Sequence, residues 1–117
     1  MSKQSNLVKE VASRLFPDLM EEVELNKITS VRLHKGIRVD FYIPSKRMVI
    51  EVHGVQHFKP SGFGADKVET LQRFNRQLDR DAKLKNICDT YELTYVQFDY
   101  DEHKTSDSIM RVLLGHI

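Results

Sequence analysis

Two acidic residues, Asp40 and Glu51, stand at mirror positions about a short turn: Val-Asp-Phe-Tyr-Ile-Pro (39–44) runs into it and Ile-Glu-Val-His-Gly-Val-Gln-His-Phe (50–58) runs out of it. Val39, Phe41 and Ile43 alternate with Asp40 and Tyr42, while Met48, Ile50 and Val52 alternate with Val49, Glu51 and His53, the period-two pattern of half-buried strands. A hairpin symmetric about Ser45 and Lys46 pairs Ile43 with Met48, Phe41 with Ile50 and Asp40 with Glu51, and puts all the apolar pairs on one face. Like charges directly opposed on a sheet repel, and a divalent cation that takes carboxylate oxygens offsets that repulsion and creates a reaction site. The competing explanation is a solvated face on which both acids pair with Arg38, Arg47 or other basic groups.

His53, two residues after Glu51, projects from the same face, where it can donate to a phosphate oxygen or move a proton near neutral pH. Gly54 permits a sharp turn, and Gln56 and His57 follow at once, so polar groups gather at one strand end. His57 is placed to orient a water or exchange a proton. His34, His103 and His116 have no such company and are expected to be surface or structural residues.

The elements that must position these groups are legible in outline. Leu7, Val8, Val11, Leu15 and Leu19 recur at helical spacing from about Ser5 to Met20, with Ser5 or Asn6 as N-cap, Pro17 as an interruption and Glu10 on the helix. Glu22 to Lys27, with a continuation toward Val31 and Leu33, reads as a first strand, and Lys35-Gly36 as the turn before the hairpin. The breaker-rich segment Lys-Pro-Ser-Gly-Phe-Gly (59–64) is a loop suited to substrate contact, with Phe58, Pro60 and Phe63 as apolar or stacking groups. Val68, Leu71, Leu78 and Ala82, joined by Phe74, support a helix that runs or restarts through Tyr91. Thr94 to Phe98 is a last strand, and Thr105 caps a short helix carrying Ile109, Val112 and Leu113. The order αβββαβα predicts an α/β fold with a central mixed β-sheet flanked by helices.

The outer limits agree. A chain of 117 residues, 40% hydrophobic and 30% charged, is the size of one domain, residues 1–117, with no internal repeat. The apolar runs are too short to span a membrane, the opening residues lack a secretory apolar stretch, and a cytoplasmic setting is expected. Cys88 stands alone, which excludes an internal disulfide and a cysteine-rich zinc site. A net charge of +1 gives no global nucleic-acid signature. Between Lys67 and Lys85, however, Lys67, Arg73, Arg76, Arg80, Lys83 and Lys85 outnumber Glu69, Asp79 and Asp81, a candidate phosphate-facing stripe. The bland version is a solvated helix with i,i+4 pairs such as Asp79 with Lys83 and Asp81 with Lys85.

Asp-Phe-Tyr-Ile-Pro (40–44), Ile-Glu-Val-His-Gly-Val-Gln-His-Phe (50–58) and Arg-Asp-Ala-Lys-Leu-Lys (80–85) together resemble the restriction-endonuclease-like PD-(D/E)xK superfamily. Within it they are most similar to the very-short-patch-repair-like branch, which includes phage and mobile-element endonucleases and homing endonucleases with an E-D-x-H-D type site. The resemblance covers roughly Glu10 to Tyr100. It implies a restriction-endonuclease-like core with Asp40, Glu51 and Glu10 as ligands of Mg²⁺, with Mn²⁺ expected to substitute. His57 would be the histidine of the site, Asp81 its following acid with Asp79 as rival, and Lys83 a phosphate neighbour. Gln56, Lys59, Arg73, Arg76, Arg80 and Lys85 would contact DNA.

Two departures stand out. Val39 replaces the proline before the first acid, and His53 stands where the E-x-K lysine belongs, leaving proton transfer to His53, His57 or a metal-activated water. The expected activity is Mg²⁺-dependent hydrolysis of DNA phosphodiester bonds, by nicking as a monomer or double-strand cutting as a homodimer, with no small-molecule cofactor. The alternatives are a catalytically silent module of the same fold that binds nucleic acid or a protein partner, and a small structural domain whose acids are surface charges.

Overall fold

A computed structural model describes residues 3–53, 67–99 and 105–116, with side chains in the stretch 67–70 left aside. It is an α/β arrangement: an open four-stranded mixed sheet with helices on both faces. The elements are α1 (Lys3–Leu15), β1 (Met20–Glu24), α2 (Leu25–Thr29), β2 (Arg38–Ile43), β3 (Met48–His53), α3 (Lys67–Thr90), β4 (Thr94–Asp99) and α4 (Ser106–Leu114), with 3-10 turns at Arg32–His34 and Pro44–Lys46. Strand order is β1-β2-β3-β4, antiparallel between the first three and parallel between β3 and β4.

The central hairpin has the expected register, with Phe41 opposite Ile50, Tyr42 opposite Val49 and Ile43 opposite Met48. Its connection is closed by Arg47, whose N–H donates to the Pro44 carbonyl at 3.2 Å and whose φ of 47° carries the chain through the left-handed region. Asp18, half-buried in the α1–β1 connection, accepts from the Ser45 N–H at 2.7 Å and so ties down the turn.

Two apolar clusters sandwich the sheet. On one side Val8, Val11, Ala12 and Phe16 with Ile109 and Leu113 pack on Phe41, Ile43, Met48, Ile50, Val96 and Phe98. On the other, Leu84, Ile87 and Cys88 of α3, with Leu25 of α2, pack on Val23, Val39, Val49 and Leu93. Val39 therefore does not share a face with Phe41 and Ile43 as simple alternation predicts. The cause lies at the next position: the register brackets Glu22 opposite Asp40, Glu22 has φ 48°, and the Asp40 N–H leaves the ladder to meet a side chain. Beyond this irregularity Val23 and Val39 belong to the second cluster.

Other expectations need correction. The first strand ends at Glu24, and residues predicted to prolong it form α2 and a 3-10 turn instead. Leu25 buries completely there, and Thr29 Oγ1 back-bonds to its carbonyl at 3.2 Å. Gly36, at φ 90°, makes the predicted turn into β2. The opening helix stops at Leu15, ahead of Pro17, whose missing N–H and ring oppose continuation. α3 is one unbroken helix of 24 residues, yet the apolar spacing that predicted it marks the wrong side: Leu71 and Leu78 are 49% and 41% exposed. Thr105 caps α4 as expected, its hydroxyl accepting from the Ser108 N–H at 3.2 Å.

Candidate functional site

At Asp40 and Glu51 the hairpin's hydrogen bonding passes from backbone to side chain. The Asp40 N–H donates to Glu51 Oε2 at 2.8 Å, and the Val52 N–H donates to Asp40 Oδ2 at 2.8 Å. Each carboxylate thus holds the opposite strand with one oxygen and keeps its second for another partner. Both project toward α3, since Glu51 alternates with Ile50 and Val52 of the first cluster and shares the face of Val49.

Glu51 is 3% exposed. Burial, followed by the neighbouring Asp40 charge, pushes its carboxyl up to about 8, against the bond from the Asp40 N–H and the Arg80 guanidinium, which favour ionisation. The two acids thus meet at the point where the strands part, with burial opposing the Glu51 charge. Burial also raises the Tyr95 phenol, followed by the neighbouring Glu51 and Asp81 carboxyls. Arg47 does not neutralise the pair, since its guanidinium donates to the Tyr91 carbonyl, and Arg38 meets Arg80 through its backbone carbonyl, which accepts from the Arg80 guanidinium.

α3 completes the arrangement. Arg80 Nη1 lies 3.8 Å from Glu51 Oε1 and 3.7 Å from Asp81 Oδ1. His53, 3% exposed, places Nε2 4.0 Å from Asp81 Oδ1. Asp40, Glu51, His53, Asp81 and Arg80 therefore share one side of the sheet, with Arg80 inside the cluster rather than on an outer binding stripe.

The remaining predicted residues are elsewhere. Glu10 pairs with Arg14 at 2.7 Å on an exposed part of α1, the helix that packs on the opposite face through Val8, Val11 and Ala12, and does not join the two acids. Lys83 is exposed and borders a separate hollow with His34, Asn86, Ile87, Thr90 and Tyr91. Lys85 lies over the Tyr95 ring, 5.7 Å from its centre, next to Asp89 and Leu93. Arg73, Arg76 and Asp79 occupy exposed positions on the outer half of α3. Gln56, His57 and Lys59, like Gly54 and His103, lie outside the described residues. His34 is a buried structural residue, its Nδ1 2.7 Å from Thr29 Oγ1 and its ring edge-on to Tyr91.

Sequence reasoning missed the contribution of β4. Gln97 pairs with Glu51 and Asp99 with His53 in the parallel register. Tyr95 Oη donates to Gln97 Oε1 at 3.0 Å, and Gln97 Nε2 donates to Asp99 Oδ1 at 2.6 Å, a polar row beside the acids. The alternation Tyr95, Gln97, Asp99 was available as a signal. Its alignment with Glu51 was not, because a parallel partner reached through a long crossover carries no local cue to register.

Among the described residues no three His, Cys, Asp or Glu side chains converge as a metal-ligating group. The donor set is instead a carboxylate pair, each member with one oxygen engaged by an N–H, which suits a hard cation that keeps several waters and takes few protein ligands. No family model, curated protein or solved structure matches this chain.

Proposed function

We propose that this protein is a Mg²⁺-dependent endodeoxyribonuclease with a restriction-endonuclease-like core, of the very-short-patch-repair-like kind. The observation that carries the reading is the Asp40 and Glu51 pair: two adjacent carboxyl groups that replace ladder bonds where β2 and β3 part, with burial opposing the charge of Glu51. A structural role for two acids at so costly a position is poorly served without a cation. Asp40 and Glu51 would hold Mg²⁺, and the bound ion would supply polarisation of the phosphate and stabilisation of charge on the leaving oxygen.

The chain's own groups supply the rest. Arg80, within 4 Å of both Glu51 and Asp81, offsets acidic charge at the site and can turn to a phosphate oxygen when substrate arrives. His53 occupies the position of the lysine in the PD-(D/E)xK pattern, with the Asp81 carboxyl as its neighbour, Oδ1 lying 4.0 Å from Nε2. His57 remains a second candidate for proton transfer, and Asp99, opposite His53, a polar neighbour.

The test is cleavage of supercoiled DNA with Mg²⁺ or Mn²⁺. Asp40→Ala and Glu51→Ala should each abolish nicking while circular dichroism remains that of the folded protein, because losing a charge clamp of this type costs several powers of ten in rate. Full activity in both variants would overturn the assignment. The substitution of His53 for lysine favours one second reading, a silent member of the same fold that binds DNA or a protein partner. It predicts divalent-cation binding by calorimetry with no cleavage, whereas the nuclease requires both.

A further inference from the structure

α3 is much longer than the strands it covers. Its 24 residues span about 36 Å, against about 20 Å for the six-residue strands β3 and β4. The packed part is its second half. Leu84, Ile87 and Cys88 lie against Val49 and Leu93, and Asp81 is level with His53, the last residue of β3. α3 lies in the parallel crossover from β3 to β4, so the stretch 67–79, about 20 Å long, runs past the carboxyl end of the sheet, the end that holds Glu51 and His53. None of residues 71–79 is buried.

A helix that fully buries no residue from 71 to 79, with only Phe74 and Gln77 half-buried, needs a reason, and its composition gives one. Gln72, Asn75, Arg76 and Asp79 recur at spacings of three and four on its exposed surface, with exposed Leu71 and Leu78 beside them. Amide and guanidinium side chains in a row are the donor and acceptor forks that match base edges. Asn and Gln pair bidentately with adenine, Arg with guanine, an acid accepts from cytosine, and apolar groups meet the thymine methyl. Over the stretch 67–79 the basic residues Lys67, Arg73 and Arg76 outnumber Glu69 and Asp79, so the net charge there favours approach to phosphate.

We propose that the outer half of α3 is a recognition helix that enters the major groove of duplex DNA, with Gln72, Asn75 and Arg76 reading base edges beside the cleavage site. The proposal rests on the nuclease reading for the position of the cut, but not for recognition itself. B-form DNA admits a helix in its major groove, whereas the deep, narrow groove of A-form RNA does not, so the ligand is duplex DNA. With about 20 Å between the tip of the helix and the acids, the cut should fall within about six base pairs of the bases read.

The experiment selects bound molecules from a random duplex DNA pool, with Mg²⁺ omitted, and sequences them. The wild-type protein should enrich one short shared motif. Asn75→Ala and Arg76→Ala, both at exposed helical positions that tolerate alanine, should each relax a single base position, with discrimination there falling about tenfold or more. No enrichment, the same motif from the Gln72→Ala, Asn75→Ala, Arg76→Ala triple variant, or equal binding to an RNA duplex would overturn the proposal. Mg²⁺ is then added to wild-type protein on a duplex carrying the motif. Cuts within about six base pairs support the placement, and cuts unrelated to it contradict it while leaving the nuclease intact. Enrichment without any cutting removes the nuclease and leaves the recognition helix standing.

Discussion

Glu51 couples the chemistry of this protein to its stability. A buried carboxyl raised to about 8 from an ordinary value near 4.5 keeps in the folded state a proton that the unfolded chain releases. Its stabilising contribution is complete below about pH 4.5 and is lost as pH rises through about 8. In the presence of a chelator, unfolding free energy should fall by about 4 kcal/mol between pH 5 and pH 8.5. Denaturant titration of wild type and Glu51→Gln checks this. The glutamine variant, with nothing to ionise, should show a nearly flat profile over the same range, and Mg²⁺ at pH 8.5 should recover much of the loss in the wild type alone. Cys88 is the contrasting case. It is 1% exposed and its thiol is pushed up to about 11 by burial and by Glu51, so the folded protein at pH 8 should resist iodoacetamide over hours and react promptly in denaturant, as mass spectrometry would record.

α3 shows how an element can be foreseen and its orientation missed. Leu71 and Leu78 should tolerate glutamine with changes within about 0.5 kcal/mol, because water already reaches them, whereas Leu84→Ala should cost about 2 to 5 kcal/mol through lost burial and the cavity left behind. Urea denaturation of the three variants tests the assignment of faces. The error in the apolar spacing has a physical origin: a helix that outruns its sheet keeps apolar residues without a core to bury them, and sequence periodicity does not distinguish the two situations. β2 and β3 were more readable. A short turn dictates their register, so Phe41 opposite Ile50 follows from counting, and with it the meeting of Asp40 and Glu51. Glu10 could not be placed this way, since a helix packs by shape and no local rule says which sheet face it will cover. His57 and Gln56 fall beyond the described residues.

Across the whole molecule, two apolar clusters hang on opposite faces of the same strands, with Phe41, Ile43, Met48 and Ile50 serving one and Val39 and Val49 the other. Neither can come apart while the sheet persists. Far-ultraviolet dichroism, which reports all helices and strands, should therefore give the same urea midpoint as tyrosine fluorescence, since Tyr42, Tyr91 and Tyr95 lie with the α3-side cluster and the chain has no tryptophan to mask them. Separate midpoints would mean that the two layers fold independently. Among the described residues no helix is long and apolar enough to cross a membrane.

The irregularity at Glu22 bears on how such molecules keep apart from one another. β1 is an outer strand of the sheet, and a straight outer strand invites a neighbouring copy to hydrogen-bond alongside it. This one is short, carries Glu21, Glu22 and Glu24, and is twisted out of line by a left-handed residue in its middle. The same distortion that moves Val39 to the α3 side also makes the rim of the sheet a poor template for fibre growth, guarded by its shape and by acidic side chains that discourage a second copy from lying alongside.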